Sequence, residues 1–116
     1  MKYMITFNHV DGAWEELSEE AVQSHQTWLT NFMADLKREK NADLVFCGPV
    51  DSRITVRKHV SGDIEVSDGP ALTTSEHVGG YYLIDAETRD EAVEWARRGR
   101  WLVGSNEVIP IFGELG

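Results

Sequence analysis

Residues 68–84 read DGPALTTSEHVGGYYLI, and the fold turns on how this stretch is taken. It opens on Asp68-Gly69-Pro70, where glycine and proline punctuate any regular element. It closes on Tyr81 to Ile84, an aromatic and apolar run of the kind that fills a pleated, half-buried surface. The stretch predicts a loop followed by a strand over 78–84. Gly79-Gly80 at its head marks a bulge or close packing, or lets a ligand approach the backbone.

Upstream of the loop, residues 53–59 and 63–67 form a β-hairpin. A two-residue turn at Ser61-Gly62 would set Ile64 opposite His59. A three-residue loop, Val60-Ser61-Gly62, puts Gly62 in the left-handed region and pairs Val56 with Val66 and Arg57 with Glu65. Apolar then meets apolar and opposite charges meet, so the second register is preferred. Residues 43–48 read as a buried strand stopped by Gly48-Pro49. Before it comes a helix over 19–40, with Ser18 as N-cap and Glu19 and Glu20 suiting the dipole. Val22, Leu29, Phe32 and Leu36 make its apolar stripe, with Trp28 beside it. His25 falls on the same stripe and faces inward. Trp14 and Leu17 pack over the mouth of this helix. Residues 2–8 alternate, with Tyr3, Ile5 and Phe7 on one face, and predict the first strand.

Downstream, Thr88 to Glu91 is a T-x-x-E capping box that starts a second helix with Ala92, Trp95 and Ala96 inside. Arg97 and Arg98 suit its C-terminus and Gly99 the position just beyond. Residues 107–112 predict the last strand, with Pro110 marking an edge or a bulge. The order is β-α-β, hairpin, β-α-β: an α+β, ferredoxin-like split βαβ plan with an inserted hairpin, in one domain over 1–116. Helices on one face leave the other bare, and most strands lack a clean polar side. The expectation is that two copies close their bare faces into a homodimer.

The formal net charge of −9 opposes nucleic acid and anionic membranes as partners, because phosphate contacts need a field of Lys and Arg. The basic runs at 53–58 and 97–100 read as solvated faces. No segment approaches a membrane span, and the first ten residues do not resemble a signal peptide. The lone Cys47 excludes an internal disulfide and reads as a small core residue of a reduced, cytoplasmic protein, with a nucleophilic thiol as the alternative.

In this plan the first two core strands run parallel and the third lies antiparallel between them. One rim then collects His9, His25, Asp51, Asp68, Glu76 and His77, bringing together three of the four histidines. A histidine beside carboxylates serves as a general acid/base near neutral pH. His25 is the candidate proton shuttle, with Asp68 or Glu76 orienting it. His9, His77, Trp28 and Tyr81 are the candidate substrate contacts. The alternatives are a structural His25 bonded to backbone and an Asp68 that caps its own turn. A metal held by His9, His25, His77 and Glu76 lacks the i, i+4 ligand spacing of a helix, and no site is assigned to one. Phosphate-binding glycine loops and nucleophile elbows are absent, so no cofactor is expected.

These residues resemble the YCII-related superfamily, and within it the branch whose motif reads D-G-P-F-A-E-T-K-E-x-x-G-G-F/Y-Y-L-I. Asp68, Gly69, Pro70, Thr74, Glu76, Gly79, Gly80, Tyr81, Tyr82, Leu83 and Ile84 match it without a gap. KYMITF at the N-terminus, Trp14 in GAWEEL, His25 and EAVEWA also fit. Ala71 replaces the branch's Phe, and Thr73 and Ser75 its Glu and Lys. Some members carry an Asp after the second helix as partner of the first-helix His. Here no Asp stands around Arg98-Gly99-Arg100, which leaves Asp68 or Glu76 for that role. The resemblance implies a dimeric α+β barrel. A few relatives look like small lyases or dehalogenating enzymes on cyclic, hydroxylated compounds, and with the inward His25 at the rim the expectation is an acid/base enzyme without cofactor, an isomerase or lyase on a small polar cyclic compound. The alternative, motivated by the altered motif and the missing Asp, is a non-catalytic domain that binds a small molecule or regulates a partner.

Overall fold

The computed structural model describes residues 1–113 except Thr73 and residues 100–103, and the backbone alone of Trp14. The expected packing of the Trp14 side chain, and Thr73 and Arg100 of the sequence motifs, lie outside the described residues. The elements are β1 (Lys2–Val10), α1 (Glu19–Lys40), β2 (Val45–Phe46), β3 (Ile54–Lys58), β4 (Ile64–Asp68), β5 (Glu76–Asp85), α2 (Arg89–Arg98) and β6 (Gly104–Pro110), with 3-10 turns at Ala13–Glu16 and Val50–Ser52.

Local chemistry sets these boundaries. Ser18 Oγ accepts the Ala21 N–H at 3.1 Å and so starts α1. Asn41, at φ 50°, ends it, its N–H reaching the carbonyls of Leu36 and Lys37. The Thr88 hydroxyl accepts the Glu91 N–H, and the Glu91 carboxylate reaches back past the cap to accept the Glu87 N–H, so the start of α2 is bonded from both directions. Lys40 reaches across from α1 to pair with Glu91. That ammonium and the Glu87 N–H hold the Glu91 carboxyl below its ordinary range. Gly99 is not left-handed as expected. At φ −74° it simply carries the chain out extended.

The main sheet has the order β2-β5-β1-β6, every neighbouring pair antiparallel, and β3 and β4 form a separate sheet of their own. Gly62 sits at φ +95°, and Val56 faces Val66 as Arg57 faces Glu65, which is the three-residue loop register. Pro110 is the last residue of the edge strand β6, where its missing N–H costs no ladder bond.

Tyr3, Ile5, Phe7, Tyr82 and Ile84 face Phe32 and Leu36 of α1 and Ala92, Trp95 and Ala96 of α2 in one buried cluster. The Tyr82 hydroxyl donates to the Trp95 carbonyl at 3.3 Å, and burial pushes its pKa above the ordinary phenol value, against a weaker lowering by Arg98. The molecule is 19 Å across its thinnest direction, the depth of one sheet and one layer of helices.

The ferredoxin-like plan closing into a dimeric α+β barrel is therefore corrected. The four-stranded sheet stays open, with β2 and β6 as separate edges, and among the described residues the hairpin strands pair only with each other. The physical reason lies on the open face. Thr6 is cross-strand neighbour to both Tyr81 and Glu107, and Asn8 to Ser105, so polar side chains run across a surface expected to be apolar. The strand expected over 43–48 also shrinks to Val45–Phe46. Cys47 is exposed there, not a core residue, although its N–H still bonds the Gly79 carbonyl at 2.9 Å.

Candidate functional site

Beside the first turns of α1 lies a cavity of about 310 Å³. Phe7 and His9 of β1, His25 and Leu29 of α1, Phe46 of β2 and Gly79 of β5 contribute to its wall. Cys47, Gly48 and Pro49 close one side, and Ala13 and Leu17 another. The lining is mostly apolar, and His9, His25 and Cys47 are its titratable residues among the described ones.

His25 is 6% exposed, and its ring is the first in a file of aromatic contacts. It lies 5.4 Å from the Trp28 ring, Trp28 stacks on Phe32 at 5.2 Å, and Phe32 meets Tyr82 and Trp95 edge to face. Arg98 caps the file with its guanidinium 4.0 Å from the centre of the Trp95 ring. His25 is thus seated on packed core, while one edge of it reaches the cavity.

His9 is placed by an irregularity in the sheet. Between Phe7 and Asn8 the register with β5 skips Gly79, leaving that residue as a bulge. A Cβ on Gly79 would lie 2.7 Å from His9 Nδ1, and one on Gly80 would lie 2.0 Å from Phe7 Cζ and 2.3 Å from the Val45 carbonyl. The two glycines are there so that a histidine and a phenylalanine ring can lie over the backbone. Bulge and close packing, both expected, are both present.

The carboxylate nearest these histidines is one the sequence reading passed over. Asp11 Oδ1 is 4.0 Å from His9 Nε2 and 3.1 Å from His77 Nδ1. His77 Nε2 lies 3.2 Å from the Leu72 carbonyl. A carboxylate and a carbonyl both accept, so the two contacts hold together when both ring nitrogens carry hydrogen. Asp11 follows His9 by two residues in an Asp-Gly turn at the mouth of β1. That pairing was the signal that could have found it.

The expected rim divides. His9 and His25 share the cavity, and Asp11 links His9 to His77. Glu76 and His77 line a different cavity, on the hairpin side of the sheet. Asp51, in a 3-10 turn, and Asp68, at the end of β4, are exposed and line neither. Trp28 stays in the aromatic file, and Tyr81 lies between Thr6 and Val45 in the sheet. Arg53, read as part of a solvated run, donates instead to the Gly48 and Val78 carbonyls and ties the hairpin to β5. Among the described residues no three His, Cys, Asp or Glu side chains gather as metal ligands would. No helix among them is long and apolar enough to cross a membrane.

Fold and cavity together define a small two-layer α+β domain with an aromatic-walled hollow beside its first helix. The chain belongs to the YCII-related domain family, whose pattern matches residues 1–112. It is also similar to an uncharacterized protein of Rhizobium meliloti (strain 1021), with 39% identity over 66 residues. That match covers 54% of this chain and 52% of the relative, so it spans about half of that protein's length.

Proposed function

We propose that the chain is an acid/base enzyme working without a cofactor, an isomerase or lyase that takes a small hydroxylated ring compound into the hollow beside α1. The observation that carries this reading is the pair of histidines, His25 and His9, on one apolar cavity of about 310 Å³, a volume at the lower end of ligand pockets and suited to one ring. His25 moves the proton, and its seating on the aromatic file fixes its direction. Asp11 stands beside His9 and orients that second histidine, a part different from the one expected of Asp68 or Glu76 toward His25. Phe7, Phe46 and Leu29 exclude water from the ring's faces. Membership of the branch carrying the Asp-Gly-Pro motif, and a cytoplasmic setting for the exposed Cys47 thiol, belong to the same reading.

A second reading, a domain that binds such a compound without turning it over, is favoured by one observation. The described lining of the cavity contains no carboxylate. A turnover screen of phenols and cyclic hydroxy acids, followed by ultraviolet absorbance, separates the two. Catalysis predicts a substrate whose kcat falls about a hundredfold or more in His25→Gln while binding persists. Binding without turnover across the screen, or unchanged kcat in the variant, rejects the enzymatic reading.

A further inference from the structure

His9 and His77 are cross-strand neighbours on β1 and β5, and the Asp11 carboxylate, just past the end of β1, reaches toward both. Its two contacts are unequal. His77 Nδ1 is 3.1 Å from each carboxylate oxygen, within hydrogen-bond reach, while His9 Nε2 is 4.0 Å from Oδ1, beyond it.

Asp11 is held on the His77 side from several directions. Its backbone N–H donates to the Ser75 carbonyl at 3.1 Å, and His77 is itself fixed by the Leu72 carbonyl, 3.2 Å from Nε2. Leu72 and Ser75 belong to the segment that follows the Asp68-Gly69-Pro70 turn. The start of that segment is tied to the hairpin, where Thr55 Oγ1 donates to the Gly69 carbonyl at 2.7 Å and Arg57 Nη2 to the Ala71 carbonyl at 3.0 Å. With an acceptor oxygen on each nitrogen, the His77 ring is a cation paired with Asp11. Only 8% of its side chain is exposed, against 31% for His9, so water screens the His77 pair less.

His9 has one nitrogen to offer the hollow. Its Nδ1 lies over the bulged Gly79, where a Cβ would be 2.7 Å away, and that leaves Nε2. Nε2 is also the nitrogen nearest Asp11. A shift of about 1 Å in this half-exposed carboxylate would turn the approach into a hydrogen bond and take the nitrogen from a ligand. We propose that His77, outside the wall of the hollow, is a positioning residue of the site. It keeps the Asp11 carboxylate to itself, at a distance where the charge orients His9 without bonding it, and so leaves His9 Nε2 to a bound ring hydroxyl. The segment after the Asp-Gly-Pro turn is the support on which that hold rests, through Leu72 and Ser75. This rests on the reading of the hollow as the ligand site.

The test titrates the isotope-labelled full chain and three variants with catechol, read by histidine ring and amide shifts. His77→Phe keeps a ring and removes both donors. Catechol should bind it about fivefold or more weakly, with the His9 Nε2 shift moving to that of a carboxylate-bound ring. Adding Asp11→Asn removes the charge that captures His9 and should regain about threefold of that loss. His77→Gln retains one donor for Asp11 and should stay within about twofold of the wild type. Wild-type affinity in His77→Phe, an equal loss in His77→Gln, or a double variant no better than His77→Phe overturns the proposal. So does a wild-type His9 ring already bonded to a carboxylate, a result that needs no variant to fold. Catechol that moves neither His9 nor His25 in the wild type rejects the hollow and this proposal with it. Binding in the hollow that is indifferent to His77 rejects this proposal alone.

Discussion

The two faces of the main sheet share their strands and differ in what covers them. On the helical face Tyr3, Ile5, Phe7, Tyr82 and Ile84 are sealed under α1 and α2. On the other face Leu83 and Val45 stay exposed, while Thr6 and Asn8 are buried among polar neighbours near the hairpin. The first arrangement concentrates apolar burial, which stabilises, and leaves one aromatic hollow beside His25. The second contributes less to stability and carries a polar row, with Thr6 beside Glu107 and Asn8 beside Ser105. Apolar burial and polar pairing are thus divided across a single layer of backbone.

The contrast is broken most directly by truncating one large side chain on each face. Phe32→Ala removes the ring that joins Trp28, Tyr82 and Trp95, and should cost about 4 kcal/mol in urea unfolding. Leu83→Ala on the open face should cost about 0.5 kcal/mol. Equal losses would mean the open face is covered in solution. Next in size is Gly80→Ala. The added methyl meets the Phe7 ring and the β2 carbonyl, and backbone cannot yield as a side chain can, so a loss of about 3 kcal/mol is expected. Wild-type stability in this variant would show that the Phe7 ring is not held over the glycine.

The smallest effect concerns the link between the helices. The Glu91 carboxyl is held low by the Lys40 ammonium and the Glu87 N–H. Its folded pKa lies below its unfolded value, so its contribution is present above the ordinary carboxylate range and is lost as the pH falls through the depressed value. Glu91→Gln should therefore melt below the wild type at pH 7, with the gap closing as the pH drops below ~4. A gap that stays constant with pH would assign the loss to helix capping alone.

Elements whose signals are local were legible in the sequence. The bounds of α1, its Ser18 cap, the capping box of α2 and the hairpin register all follow from neighbours a few residues apart, and the structure agrees with each. His25 was legible as inward because helical period places it on the stripe of Phe32 and Leu36. What depends on distant pairing was not. The polar row across the open face needs the registers of β1, β5 and β6 together, and without it the face read as bare and apolar. The bulge at Gly79 and the drift of the hairpin away from the main sheet decide which cavity each rim residue enters. Neither Glu76 nor Asp68 could be placed, nor Asp11 singled out, from spacing alone. Asn8 gave a faint signal, an amide amid strand-forming residues where it is usually depleted.

The most direct measurement titrates the isotope-labelled chain with catechol, a hydroxylated ring of the proposed size, and follows the histidine ring and backbone resonances. The account predicts saturable shifts of the His25 and His9 rings and of the Phe46 and Gly79 amides, with residues 54–68 unmoved. Shifts confined to the hairpin and the open face, with both histidine rings silent, would contradict it.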